Sequence, residues 1–246
     1  MRDDTEHHPS AVIVFEDRAS DSALIERVWR CRSERAGRFL SVASPHWEMA
    51  VTRLRGQTTL TVRGPETKPT WADCPADGEW LGIRFKLGTF MRDLPVPALV
   101  DRNDVNLPSV SSDAFWLDGA RWSFPAFDDA EAFVARLATG GLVARDAAVQ
   151  ATLQGETQAL SPRTAQRRIA RATGMTHTTL RQIERARHAT TLLQNGAAIA
   201  DAVHEAGFFD QAHLTRALRR LIGQTPGKIT RAEEQLSFLY KTAPTT

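Results

Sequence analysis

The stretch GFFDQAHLTRALRRLIGQTP, residues 207–226, predicts a short helix with two different faces. Asp210 can cap the first turn, because its carboxylate accepts hydrogen bonds from free backbone N–H groups. Successive residues are about 100° apart on a helix, which places Arg216 opposite the apolar side chains. Those apolar side chains are Leu214, Ala217, Leu218 and Leu221. Gly223 and Pro226 then end the helix.

A second short helix precedes this one and ends at Gly207, with Ile199, Ala202, Val203 and Ala206 as its apolar side chains. Two helices joined by a glycine-containing turn, the second cationic on its outer face, are typical of a helix-turn-helix unit. The second helix of such a unit fits the major groove of duplex DNA. On this helix Ala212 and Arg216 face outward, flanked by His213, Thr215, Arg219 and Arg220.

The stretch LSPRTAQRRIARATG, residues 160–174, repeats this pattern. Ser161 is a favourable N-cap residue, and Gly174 is favourable for ending the helix. The inner side chains are Ala165, Ile169 and Ala172, and the outer ones are Arg163, Gln166, Arg167 and Arg171. A longer helix follows and ends near Gly196. Residues 161–187 hold seven Arg and one acidic residue, whereas solvated surface helices usually alternate charge. Arg suits phosphates and guanine, and Gln suits adenine.

These segments resemble the AraC-type transcription regulators over about residues 146–230. The resemblance is carried by SPRTAQRRIARATG, RARHATTLL, AGFFDQAHLTRALRRLIGQTP and their spacing. It implies two helix-turn-helix units joined by one long helix. The implied base-facing residues are Arg163, Gln166, Arg167, Gln211, Ala212, His213 and Arg216, with Thr215 nearer the phosphates. The helical wheel instead puts Gln211 nearer the core.

Two features depart from the family pattern. The scaffold helix expected before the first recognition helix is replaced by DAAVQATLQGETQALS, residues 146–161. Arg168 also stands where the wheel expects a partly buried apolar residue, so we expect it to extend to the surface or to hold an acid.

The first half of the chain predicts many short strands. Segments rich in β-branched and aromatic residues alternate with Gly and Pro turns between residues 11 and 88. In one of them Thr59 and Thr61 are expected to point outward, between the inward Leu60 and Val62. Residues 89–125 look irregular, apart from two possible late strands. By the same resemblance this half is a cupin-like β domain that senses a ligand or dimerises.

The predicted fold is therefore α+β, with a cupin-like β-sandwich or barrel followed by an all-α domain. We expect a disordered tail at 1–10, the β domain at 11–140, the DNA-binding domain at 146–232 and a C-terminal tail at 233–246. Charge agrees with this division, since residues 146–246 hold 13 Lys or Arg against 8 Asp or Glu. All six tryptophans lie in the first half.

The tryptophans of the β domain could partly line a small-molecule effector pocket, because ligand sites often use aromatic side chains. The alternative is that most of them belong to the core. The candidate residues of the pocket are Trp29, His46, Trp47, Glu48, Trp80 and Trp116. His46 and Glu48 could instead belong to a metal site, but the other histidines of this half, His7 and His8, lie in the N-terminal tail. We therefore expect no metal, no cofactor and no catalytic residues.

A helix at the end of the β domain carries a stripe of Ala130, Phe133, Val134 and Leu137. This stripe could form a homodimer interface or pack on its own barrel. Cys31 and Cys74 have no metal-binding or disulfide spacing and are expected to be reduced thiols. No signal peptide or membrane span is visible, so the sequence predicts a soluble cytoplasmic protein.

The leading hypothesis is a sequence-specific DNA-binding transcription regulator rather than an enzyme. Its expected partners are double-stranded DNA, a small-molecule effector, a second copy of the chain and RNA polymerase, with no membrane. The alternative is a cupin-type metalloenzyme with a helical appendage. An RNA-binding or phosphate-binding module is disfavoured, because the major groove of A-form RNA is too narrow for a helix.

Overall fold

The structure is a computed structural model, and it describes residues 13–101, 105–146, 149, 151–152, 161–232 and 236–237. The described part of the N-terminal region consists mostly of strands, and the described part of the C-terminal region is helical. The predicted α+β class is therefore confirmed. The expected tail at residues 1–10 lies outside the described residues.

The β region contains one large antiparallel sheet and three smaller strand pairs. In chain order the strands are β1 (Ile13–Ala19), β2 (Ile25–Ser33), β3 (Gly37–Ser41), β4 (Glu48–Leu54), β5 (Gln57–Arg63), β6 (Thr70–Cys74), β7 (Glu79–Phe85), β8 (Thr89–Met91), β9 (Val105–Leu107), β10 (Ala114–Leu117), β11 (Ala120–Ser123) and β12 (Val143–Arg145). The large sheet has the order β1-β2-β7-β4-β5-β9, and the pairs are β3·β6, β8·β12 and β10·β11. Among the described residues this region also forms two short helices, α1 (Val96–Leu99) and α2 (Ala130–Thr139).

One face of the large sheet packs in a hydrophobic core with the apolar stripe of α2. Met49 and Ile83 lie opposite each other in β4 and β7 and belong to this core. The Phe133 ring meets Phe115 and Trp122 edge-on, each at a centroid distance of 6.3 Å. All four stripe residues are buried: Ala130, Phe133, Val134 and Leu137. The stripe therefore packs on its own barrel, which is the second of the two expected arrangements.

The other face of the sheet is also covered near its centre. The Trp29 indole lies across Gly82, where an added Cβ would come within 1.8 Å of the ring. Thr61, predicted to face outward, is 8% exposed. Its Oγ1 donates to Asn106 Oδ1 at 2.7 Å. The expectation for Thr61 failed because strict alternation assumes that one face meets water.

The helical region surrounds one long central helix. Its helices are α3 (Pro162–Thr173), α4 (His177–Gln194), α5 (Ile199–Glu205), α6 (Gln211–Leu221) and α7 (Pro226–Thr230). The buried face of α4 carries Leu180, Ile183, Ala186, Ala189, Thr190 and Leu193. Ile169 of α3 and Leu218 of α6 join the same core. The two helices predicted to be cationic on their outer faces, α3 and α6, the long helix between the units, α4, and the short helix α5 are therefore present.

The two regions are joined by direct contacts of residues 40–43, at the end of β3. Val42 and Ala43 are buried in the helical core, and the Ala43 N–H donates to the Leu221 carbonyl at 2.9 Å. The Ser237 N–H donates to Leu40 O at 2.8 Å, and Ser237 Oγ accepts from the Val42 N–H at 3.0 Å. Residues 236–237, expected within a C-terminal tail, are therefore held against the β region.

Candidate nucleic-acid interface

Helix α3 presents a cationic outer surface. Its first turn is capped as predicted, since Ser161 Oγ accepts from the Thr164 N–H at 3.3 Å. The inner side chain Ile169 is buried. The predicted DNA-contacting side chains are all exposed: Arg163, Gln166, Arg167 and Arg171. The helix therefore leaves this face open to a polyanion.

Gly174 ends α3 with a φ of 71°, in the left-handed region that favours glycine. A Cβ at this position would lie 2.4 Å from Val100 Cγ2, just after α1. The end of the first recognition helix is thus packed closely against the β region. The scaffold segment expected at residues 146–161 lies mostly outside the described residues.

Arg168 departs from the apolar pattern of α3 and holds an acid. Its Nε lies 3.7 Å from Asp146 Oδ2, and both side chains are more than a third exposed. Of the two expectations for Arg168, extension to the surface or pairing with an acid, the ion pair is thus observed. An exposed ion pair of this kind contributes little to stability, so we interpret it as orienting the side chain.

Helix α6 has the same arrangement as α3. Asp210 caps it, with Oδ1 accepting from the His213 N–H at 2.6 Å. The inward side chains Leu214, Leu218 and Leu221 are buried. On the outer side Gln211, Ala212, Arg216, Arg219 and Arg220 are exposed, and His213 and Thr215 are half-buried. The exposure of Gln211 agrees with the family resemblance rather than with the helical wheel.

Arg185 is a functional residue whose role the sequence did not indicate. From α4 its Nε donates to Ala206 O at 3.1 Å, and its guanidinium also donates to Gly207 O. The guanidinium carbon lies 4.4 Å from the centroid of the Phe208 ring. Arg185 therefore holds the turn between α5 and α6, and with it the start of the second recognition helix.

A groove of about 240 Å³ lies beside α6. It is lined by Gln182, Arg185, Phe208, His213, Arg216, Ala217, Arg220 and Leu221. Its polar walls are cationic, which is the electrostatic character expected at a phosphate backbone.

The six candidate pocket residues of the β region do not come together. Trp47 stacks on Phe85 with ring centroids 3.9 Å apart, within the core on the α2 side of the sheet. Trp116 is 47% exposed in β10, and Trp80 lines an open groove with Phe127. Trp47, Trp80 and Trp116 therefore occupy separate environments and do not line a common pocket.

Trp29 and Glu48 do meet in a buried polar cluster. Trp29 Nε1 donates to Glu48 Oε2 at 3.2 Å. Glu48 Oε1 lies 3.7 Å from Arg63 Nη1, and Glu48 Oε2 lies 3.7 Å from Arg84 Nη2. The Arg84 side chain is itself buried.

His46 has different partners from Glu48. Its Nδ1 lies 2.9 Å from Phe85 O and 3.2 Å from Glu26 Oε2, and burial lowers its pKa. Within the described ranges no group of three or more His, Cys, Asp or Glu is placed to hold a metal ion. Burial raises the pKa of the Cys31 thiol to about 12, so this cysteine is a poor nucleophile.

Comparison with known proteins places a family match in the helical region. Residues 156–232 match the family model of a helix-turn-helix domain. No curated protein and no solved structure matches the chain. Among the described residues, no helix has the length and apolar character to span a membrane.

Proposed function

We propose that both recognition helices, α3 and α6, contact DNA, because residues 156–232 form the AraC-type helix-turn-helix domain of a DNA-binding transcription regulator. We further propose that a small molecule bound in the β region controls it. The domain indicates a regulator rather than an enzyme. We assign the DNA-binding domain to residues 146–232 and extend the β domain, expected at residues 11–140, to residue 145, because β12 pairs with β8.

The observation that supports DNA binding most directly is the shared design of α3 and α6. Each helix has a capped first turn, an apolar side packed in the core around α4 and an outer side with exposed Arg and Gln. Arg163, Arg167 and Arg216 can reach guanine in the major groove, and Gln166 and Gln211 suit adenine. Ala212 and His213 complete the proposed base-facing set. We assign contacts with DNA phosphates to the side chains of Arg171, Thr215, Arg219 and Arg220.

Selection of binding sites from random duplex DNA tests this proposal. Because α3 and α6 both pack against the long helix α4, we expect them to enter successive major grooves on one face of the DNA. The selected site should contain two short boxes about 10 bp apart per protomer. Footprinting on the selected duplex measures this separation.

The control for this experiment is the double variant Arg163→Ala/Arg167→Ala. It should retain preference for the α6 box and lose preference for the other box. A single short box selected by the parent protein would show that only one helix docks.

An open groove of about 520 Å³ in the β region supports effector binding. Its lining includes the aromatic side chains of Trp80 and Phe127 and the cationic side chains of Arg30 and Arg53. Ligand sites are concave and mostly apolar, with a few polar groups that fix the orientation of the ligand. We propose that an aromatic or apolar effector binds in this groove against Trp80.

Titration with such an effector should quench or shift tryptophan emission and raise the melting temperature. At a hundredfold excess over the dissociation constant, linkage stabilises the protein by about 2.7 kcal/mol. Fluorescence titration and thermal unfolding across a metabolite library measure both effects.

A Trp116→Phe variant is the control, because the exposed Trp116 lies outside the groove and its loss should not change the response. If no compound shifts melting, the β region serves association rather than sensing. A homodimer and a contact with RNA polymerase stay predictions.

A further inference from the structure

Phe209 is far more exposed than the other large apolar side chains of the described residues. It is 90% exposed, whereas the next value is 51%, for Val110. Its neighbour Phe208 is buried, with its ring under the Arg185 guanidinium and edge-on to His213 at a centroid distance of 5.3 Å. Since Phe208 anchors the turn, the Phe209 ring is directed away from the core and contributes little to it.

The position of Phe209 places this ring at the leading end of α6. The next residue, Asp210, caps the helix, and Gln211 and Ala212 follow on the exposed side. A recognition helix enters the major groove with its N-terminal residues nearest the base edges. On the proposed function, on which this inference rests, Phe209 therefore lies at the DNA surface.

The major groove has one strongly apolar feature, the 5-methyl group of thymine. Arg and Gln recognise guanine and adenine by hydrogen bonds, whereas Phe and Ala contact the thymine methyl. The outer surface of α6 is otherwise polar or cationic, with Ala212 as its small apolar member. An exposed phenyl ring beside such polar side chains is thus suited to an A·T pair at the edge of the site.

We propose that Phe209 determines part of the sequence specificity by contacting the 5-methyl group of a thymine in the box bound by α6. This contact removes the thymine methyl group and part of the Phe209 ring from water. The favourable contribution scales with this buried apolar area. Phe209 thereby adds preference for thymine at a position that the polar side chains of α6 do not specify.

The test replaces each thymine of the selected α6 box, one at a time, by deoxyuridine, which lacks only the methyl group. One replacement should weaken binding of the full-length protein about fourfold, the effect of burying one methyl group. In Phe209→Ala the same replacement should have no effect. The control variant Val110→Ala, altered at an exposed site in the β region, should keep the fourfold effect. Circular dichroism checks that each variant is folded.

Several outcomes overturn the inference while leaving DNA binding intact. These are an α6 box without thymine, a parent protein insensitive to every uridine replacement, and a uridine effect that persists in Phe209→Ala. If Phe209→Ala weakens binding to all DNA sequences by the same factor, the ring packs on the sugar–phosphate backbone and the inference is also wrong. Absence of any sequence-specific binding would instead overturn the proposed function.

Discussion

Leu218→Ala is expected to lower the free energy of unfolding of the helical region by about 2–5 kcal/mol. The Leu218 side chain is fully buried beneath α6, in the core that surrounds α4. Removing it leaves a cavity, which the surrounding helices can close only in part. Urea unfolding followed by circular dichroism measures this loss, and DNA binding should fall with the folded fraction.

Arg216→Ala is the matched comparison on the opposite side of the same helix. Arg216 is exposed, so this variant should keep its stability. Its DNA affinity should fall by about 1–3 kcal/mol, mainly at one base position. A folded Arg216→Ala that binds every sequence as well as the parent would contradict the assignment of α6 as a recognition helix.

Phe133→Ala should destabilise the β region by about 3–5 kcal/mol, because the buried ring fills the space between α2 and the large sheet. Its contacts with Phe115 and Trp122 are lost as well. All six tryptophans lie in this half of the chain, so tryptophan emission during urea unfolding reports on it specifically.

The exposed Arg136 on the same helix provides the control, and Arg136→Ala should unfold at nearly the parent urea concentration. Sedimentation tests whether the stripe also serves a homodimer. A folded Phe133→Ala protein of unchanged stability, with weaker self-association than the parent, would place the stripe in the dimer interface.

The helical region was predictable from the sequence because its helices obey local rules. Ser161 and Asp210 act as caps, Gly174 ends α3, and the leucines of α6 recur at helical spacing. The β region was less predictable. Strands β6, β8, β9 and β12 are three to five residues long and are defined by their partners, so their composition does not reveal them.

The recognition surface was predictable in outline, since outward Arg and Gln follow directly from helical geometry. Arg185 was not predictable, because its role depends on carbonyl groups about 20 residues further along the chain. The separation of the candidate pocket residues was not predictable for a related reason. Trp29 and Trp47 are equally apolar in sequence, but a sheet buried on both faces places them in different layers.

The contacts of residues 40–43 have a consequence for the order of folding. Val42 hydrogen-bonds to a residue 195 positions further along the chain, and this apolar segment is synthesised long before the helices that cover it. Such long-range contacts form late, because the intervening chain must first be ordered. During synthesis the nascent β region therefore exposes Val42 and Ala43. Aggregation and chaperone binding compete most strongly with folding in the interval before α6 emerges from the ribosome.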